Sequence, residues 1–261
     1  MLIKYISKTI LQKLVILQLK SINVLATLSI LLVSITVMSP DAYAEADIFK
    51  IDDMPFGKSY ETWVQDWWRW NAAIPKDPQT TFAGVKENGC LINKNGSVVM
   101  LIDPAIGGKL NQVCEISADQ GILFPAWSAE CDGSTKGMEN KSFKELSECA
   151  RGYNLGKVMV NVRVDNNHIA KVDVNDYKTI NLVNATELYT KEFNITTPKE
   201  SHLSVDYPGT HLGAVHGWFI FLKPLTPGEH TVNYVNVVKP TSLSGAGNAN
   251  NANITYLLKV R

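Results

Sequence analysis

The chain has 261 residues, with 25 basic and 25 acidic side chains and a hydrophobic fraction of 45%. A nucleic-acid-binding protein is not expected, because phosphate neutralisation by a basic patch supplies most of the affinity of such proteins and the sequence has no basic patch. The length predicts one domain, or two tightly packed ones, with a core that needs no metal to hold it.

The first 44 residues are arranged like a secretory signal peptide. Four lysines precede an uncharged stretch over 21–40, and the triplet Ala-Tyr-Ala follows at 42–44. This order predicts export and cleavage near Ala44. The alternative is a retained membrane anchor, since the apolar stretch 22–38 is near the lower length limit of a membrane span. Cleavage is the favoured interpretation, and it leaves residues 45–261 as a secreted, extracytoplasmic domain with no stable membrane span.

The first predicted element of that domain is a helix over about 59–74. Ser59 is a suitable N-cap residue, and Pro75 follows the last helical position. Four of the six tryptophans lie in this segment. A single helical stripe, which we expect to pack against the rest of the domain, contains Tyr60, Trp63, Trp67, Trp70 and Ile74.

Four cysteines follow the predicted signal peptide. An even number in an oxidising compartment predicts two disulfides. Three pairings are possible, and we favour the sequential one, in which Cys90 pairs with Cys114 across a hairpin and Cys131 pairs with Cys149 across a polar loop. A zinc or redox site is the less favoured alternative, because no C-x-x-C spacing occurs.

From Gly96 onwards, short apolar runs separated by Gly, Pro and Asn predict strands rather than helices. The fold class expected from them is a mainly β sandwich, immunoglobulin-like or jelly-roll-like, with one N-terminal amphipathic, Trp-rich helix. A disulfide-bonded region would cover 90–149, and C-terminal sandwich strands would cover 156–261. The predicted strands are Val98–Ile102, Val113–Ile116, Ile122–Phe124, Lys157–Val164, Ile169–Val174, Lys178–Val183, Thr190–Thr196, Val215–Lys223, Glu229–Val238 and Ile254–Val260.

Three of the five histidines fall within fifteen residues, in a segment that we expect to be a loop. His202, His211 and His216 could hold copper or zinc there, and His230 could join them if the sheets bring the strand ends together. Their spacings match no standard ligand motif. No cofactor is therefore predicted outright, and copper or zinc is kept as the alternative.

Motifs of hydrolytic enzymes are absent from the sequence. It contains no G-x-S-x-G, no H-E-x-x-H and no paired carboxylates in a recognisable setting, so an enzyme is the less favoured interpretation. Five N-x-S/T triplets are candidate glycosylation sites wherever the exporting cell modifies asparagine. They begin at Asn95, Asn140, Asn184, Asn194 and Asn253.

A set of short motifs spread over most of the predicted mature chain resembles an uncharacterised family of exported bacterial and archaeal proteins. The resemblance implies export, two cysteine pairs and a β-rich C-terminal half, and it carries no catalytic residue to this chain. The motifs are Tyr60-Glu61-Thr62-Trp63, Trp67-Trp68-Arg69-Trp70, Gly89-Cys90, Gly107-Gly108, Cys114-Glu115-Ile116, Leu123-Phe124-Pro125, Glu130-Cys131, Gly217-Trp218, Lys223-Pro224-Leu225 and Pro227-Gly228-Glu229-His230-Thr231.

The sequence favours an exported binding or structural module whose partner is an extracellular glycan, an envelope component or another protein. Trp68 lies about 100° from Trp67 on the helical wheel, so it is the ring of the cluster expected to be partly exposed to a ligand. Trp127 is the second candidate. The competing hypothesis is a copper- or zinc-binding protein or metalloenzyme that uses the histidines of the 202–216 segment.

Overall fold

A computed structural model describes residues 47–75, 90, 92–102, 108–154, 156–175, 178–203, 205–240 and 250–261. The predicted signal peptide over 1–44 lies outside these residues. Across the described part of the chain, no helix is long and apolar enough to cross a membrane.

Two six-stranded sheets, two α-helices and a short 3₁₀-helix (Pro55–Gly57) make up the regular structure of the described residues. The helices are α1 (Tyr60–Ala73) and α2 (Phe143–Tyr153). The strands are β1 (Ile92–Asn95), β2 (Val98–Leu101), β3 (Gly108–Ile116), β4 (Gly121–Asp132), β5 (Gly156–Val164), β6 (Asn167–Asn175), β7 (Thr179–Val183), β8 (Thr186–Tyr189), β9 (Phe193–Thr197), β10 (Gly209–Leu222), β11 (Gly228–Pro240) and β12 (Asn250–Val260).

The first sheet has the strand order β1-β2-β4-β10-β8, and β9 pairs with the start of β10. The second sheet has the order β3-β12-β11-β5-β6-β7. Most neighbours are antiparallel, while β2 with β4 and β3 with β12 are parallel. The mainly β sandwich predicted from the turn spacing is confirmed.

The core between the sheets is built from alternating side chains of both. Val160, Val172 and Ile254 of the second sheet belong to the same buried cluster as Trp218 and Ile220 of the first. Such alternation is expected of strands that bury one face. The first sheet, however, is apolar on its other face as well.

Helix α1 covers that other face. Its N-cap, Ser59, accepts a hydrogen bond from the backbone N–H of Thr62 at 3.1 Å, as predicted. Trp63 and Trp67 are 3% and 0% exposed, and each indole N–H donates to a backbone carbonyl at 2.7 Å. The prediction that these rings pack the helix onto the sandwich is confirmed, and Trp70, which is partly buried, also packs against the buried clusters.

Helix α2 was not predicted from the sequence. A polar loop was expected between Cys131 and Cys149 instead. Ser142 and Glu145 form a capping box at its start, and the buried side chains of Leu146 and Ala150 fix it against the first sheet. The S-x-x-E spacing was the available signal.

Both predicted cysteine pairs are present as disulfides, Cys90 with Cys114 and Cys131 with Cys149. Two disulfides are consistent with an oxidising, extracytoplasmic compartment. The second bridge joins β4 to α2, so it fastens the unpredicted helix to the edge of the sandwich.

We expect the double variant Cys131→Ala/Cys149→Ala to lose about 3 kcal/mol of unfolding free energy, because the bridge closes a loop of 18 residues in the unfolded chain. Urea denaturation of residues 45–261 would measure the loss. A variant within about 0.5 kcal/mol of the wild type would contradict this prediction.

Candidate functional site: a carboxyl-lined cavity

A cavity of about 270 Å³ lies where the end of β4, helix α2 and helix α1 meet. Its lining includes two acidic side chains, two hydroxyl side chains and two aromatic rings. They are Glu130, Asp132, Ser134, Thr135, Trp68 and Tyr153. Among the described residues that line this cavity, none is basic.

Strand β4 places both carboxyl groups on one side. Glu130 and Asp132 are two positions apart, and side chains at that spacing on a strand share a face. Glu130 lies opposite Val215 of β10, which packs in the cluster beneath α1. Asp132 lies opposite Gly213, where a Cβ atom would approach Oε1 of Glu130 to 3.4 Å. The Glu130 carboxyl group therefore lies beside Gly213.

The surroundings of the Glu130 carboxyl group disfavour its ionised form. Its Oε1 is shielded from solvent and has no hydrogen-bond partner among the described residues. Burial, with a smaller effect from the charge of Asp132, raises the pKa of Glu130 well above its ordinary value. Glu130 thus keeps its proton to a higher pH than a glutamate in water.

The Asp132 carboxyl is buried as well, with 4% of the residue exposed. Its Oδ1 accepts a hydrogen bond from the backbone N–H of Ser134 at 2.8 Å. The segment after β4 is held further by its main chain, since the Ser134 carbonyl accepts from the backbone N–H groups of Asp206 and Tyr207. This side of the cavity is consequently fixed by backbone contacts.

Trp68 enters the cavity wall from α1, and the prediction that its ring is partly exposed is wrong. Only 6% of the residue is accessible, because α1 buries a wider face than the predicted stripe, one that also includes Val64 and Asn71. Unlike Trp63 and Trp67, its indole N–H has no hydrogen-bond partner in the described part of the chain.

The cavity opens at the surface beside Thr135 and Tyr153. Thr135 is exposed, and Tyr153, the last residue of α2, is 42% exposed. The remaining wall is apolar, formed by Met138, Leu203, Val205 and the disulfide between Cys131 and Cys149. A ligand could enter here without unfolding either helix.

The four histidines proposed as metal ligands have separate hydrogen-bond partners. His202 Nε2 donates to the carbonyl of Asn71 at 2.6 Å, and His211 Nε2 donates to that of Tyr207 at 2.8 Å. His230 lies 2.6 Å from a carboxylate oxygen of Asp165. Within the described residues, no group of three or more His, Cys, Asp or Glu side chains is placed to hold a metal.

His216 is buried on β10, with 0% exposure. Its Nε2 lies 3.0 Å from Oε1 of Glu187, and its Nδ1 lies 2.9 Å from the side-chain amide nitrogen of Asn154. Burial lowers the pKa of His216 despite the opposing effect of Glu187. The expected 202–216 loop is also corrected, because β10 starts at Gly209 and includes His211 as well.

Trp127 is partly buried and packs against the core between the sheets, outside the cavity lining. Four of the five sequon asparagines are exposed, as a glycosylation site requires: Asn95, Asn140, Asn194 and Asn253. Asn184 is partly buried, and its side-chain amide donates to the carbonyl of Ile169 at 2.7 Å.

Neither Glu130 nor Asp132 was predicted from the sequence as a residue of the site. The predicted strand ended at Phe124, whereas β4 continues to Asp132. Without the longer strand, the E-x-D spacing carried no information about a shared face. That spacing, on either side of Cys131, was the signal that the sequence offered.

In comparisons with protein-family models, with curated proteins and with solved structures, no match to the chain was found. The site is therefore interpreted from its own geometry.

We expect Glu130→Gln to be more stable than the wild type at pH 7. The raised pKa means that the folded state binds more protons than the unfolded state above about pH 4, so wild-type stability falls as the pH rises. Glutamine does not titrate, so the stability advantage of the variant over the wild type should vanish near pH 4. Urea denaturation of both proteins at pH 7 and at pH 4 measures the difference in unfolding free energy.

The matched control is Glu115→Gln, which removes an exposed carboxylate that pairs with Arg261. Exposed ion pairs contribute little, so this variant should stay within about 0.5 kcal/mol of the wild type. If Glu130→Gln were no more stable than the wild type at pH 7, the inferred state of Glu130 would be wrong.

Proposed function

We propose that the chain is an extracytoplasmic binding protein and that its ligand occupies the cavity beside Trp68. The observation that supports this most directly is that one cavity with a surface opening is lined by two buried carboxyl groups and by Trp68, whose indole N–H has no partner among the described residues. Concave sites with a few convergent polar groups on an apolar wall are typical of small-ligand binding.

The rigidity of the surroundings also supports a binding role. The cavity is bordered by a strand of the sandwich, by a capped helix and by a disulfide that joins the two. The backbone of such a frame loses little freedom when a ligand arrives, and less of the binding free energy is spent on ordering it.

The size of the cavity restricts what it can hold. About 270 Å³ is slightly below the range of pockets that take drug-sized molecules. A single ring or side chain of a larger partner would fit. The extracellular glycan, envelope component or protein expected as the partner would thus present one small group here.

A mouth-blocking variant tests this proposal. Purified residues 45–261 would be screened by thermal unfolding against neutral sugars, amino acids, organic amines and carboxylates. A ligand present at 100 times its Kd adds about 2.7 kcal/mol of stability. We expect such a compound to raise the Tm of the wild type but not of Thr135→Trp, whose larger ring would cover the opening.

The control for Thr135→Trp is Ile180→Ala, which alters a residue with 46% exposure on β7 of the second sheet. It should respond to the compound like the wild type. A compound that stabilises Thr135→Trp equally would place the site elsewhere, and a screen with no stabilising compound would count against the proposed function itself.

A further inference from the structure

We propose that the group held in the cavity is an uncharged sugar unit, one hydroxyl of which lies between the indole N–H of Trp68 and the carboxyl group of Glu130. This inference rests on the proposed function, because it takes the cavity to be the ligand site. It assigns the chemical class of the ligand.

Two residues of the cavity lining, Trp68 and Glu130, each have a polar atom without a hydrogen-bond partner among the described residues. The two atoms are the nitrogen of the Trp68 indole N–H and Oε1 of the Glu130 carboxyl group. Both residues line the same cavity. A hydroxyl accepts and donates at once, so one hydroxyl can satisfy both atoms. Both atoms are covered in the free protein, so their side chains must turn towards the ligand on binding.

The charges of the cavity lining favour an uncharged ligand. The lining has two acidic residues and, in the described part of the chain, no basic one. A carboxylate or phosphate ligand would face Asp132 with no cation to balance it. An ammonium group would suit Asp132 but can only donate, and it would leave the N–H of Trp68 unpaired. A neutral hydroxyl avoids both problems.

The shape and polarity of the remaining lining suit a sugar. Ser134 and Thr135 add two hydroxyl groups, and the partly exposed ring of Tyr153 stands at the opening. Sugars have polar edges and apolar ring faces, and an aromatic ring can cover such a face while leaving the hydroxyls to the polar groups. Met138 and Leu203 supply further apolar surface.

Calorimetric titration with matched sugars tests the ligand class. The probes are the methyl glycosides of glucose, galactose, mannose and N-acetylglucosamine, together with glucuronate, galacturonate and glucosamine as charged counterparts. We expect at least one neutral glycoside to bind and its charged counterpart to bind at least 10-fold more weakly. Equal or tighter binding of the charged form would overturn the inference.

Two tryptophan variants test the position of the hydroxyl. Trp68→Phe removes the N–H but keeps an aromatic ring, and it should weaken binding of the neutral glycoside about 10-fold. Trp127→Phe is the matched control, because it also removes a buried N–H that has no partner among the described residues but lies outside the cavity lining. Equal affinities of the two variants would overturn the inference.

Substitutions of Glu130 provide a second measurement if Trp68→Phe folds poorly. Glu130→Met removes the acceptor at similar size, and Glu130→Gln keeps an acceptor oxygen. The methionine variant should bind the neutral glycoside at least 10-fold more weakly than the glutamine variant. Similar affinities would contradict the assigned contact.

Failure of the inference can be distinguished from failure of the proposed function. If no neutral glycoside binds but a compound of another class stabilises the wild type and not Thr135→Trp, the sugar assignment is wrong and the cavity remains the ligand site. If no compound of any class binds, both are wrong.

Discussion

The structure depends on a sheet that is apolar on both faces. Every residue of β10 from Gly213 to Leu222 is buried, with Trp218, Ile220 and Leu222 in the core between the sheets. Phe219 and Phe221 point to the opposite side, into the cluster beneath α1. Since such a face cannot be left in water, the tryptophan-rich helix is required to cover it, and each buried aromatic ring removes roughly 150–250 Å² of surface from solvent.

The cavity forms where this covering ends. Strand β4 runs alongside β10 beyond the large aromatic side chains, and at its end the cross-strand partners become Val215 and Gly213. Helix α2 packs against Cys131 and Ala214, on the face opposite Glu130 and Asp132. The cavity at the end of β4 is therefore a consequence of strand length, pairing register and one disulfide.

Unsatisfied polar atoms do not mark a site by themselves. The indole N–H of Trp127 and the side-chain oxygen of Asn154 are also buried without a partner among the described residues. The cavity differs because Trp68 and Glu130, each with a polar atom that lacks a partner among the described residues, line one cavity that opens to the surface, next to a second carboxyl group. Free energy lost by leaving such groups unpaired can be recovered when a ligand pairs them.

The sequence by itself determined the class of fold and the tryptophan-rich helix with its N-cap, and it favoured, among three possible pairings, the cysteine pairs that the structure contains. These features follow from local periods, capping residues and the number and order of cysteines. Only the tertiary structure decided that Trp68 is buried, that His211 and His216 lie in a strand, and that Glu130 meets Asp132 beside an indole. Each of these depends on which face a distant segment covers and how far a strand continues to pair. Both are decided by packing between segments far apart in the chain, which a local pattern does not encode.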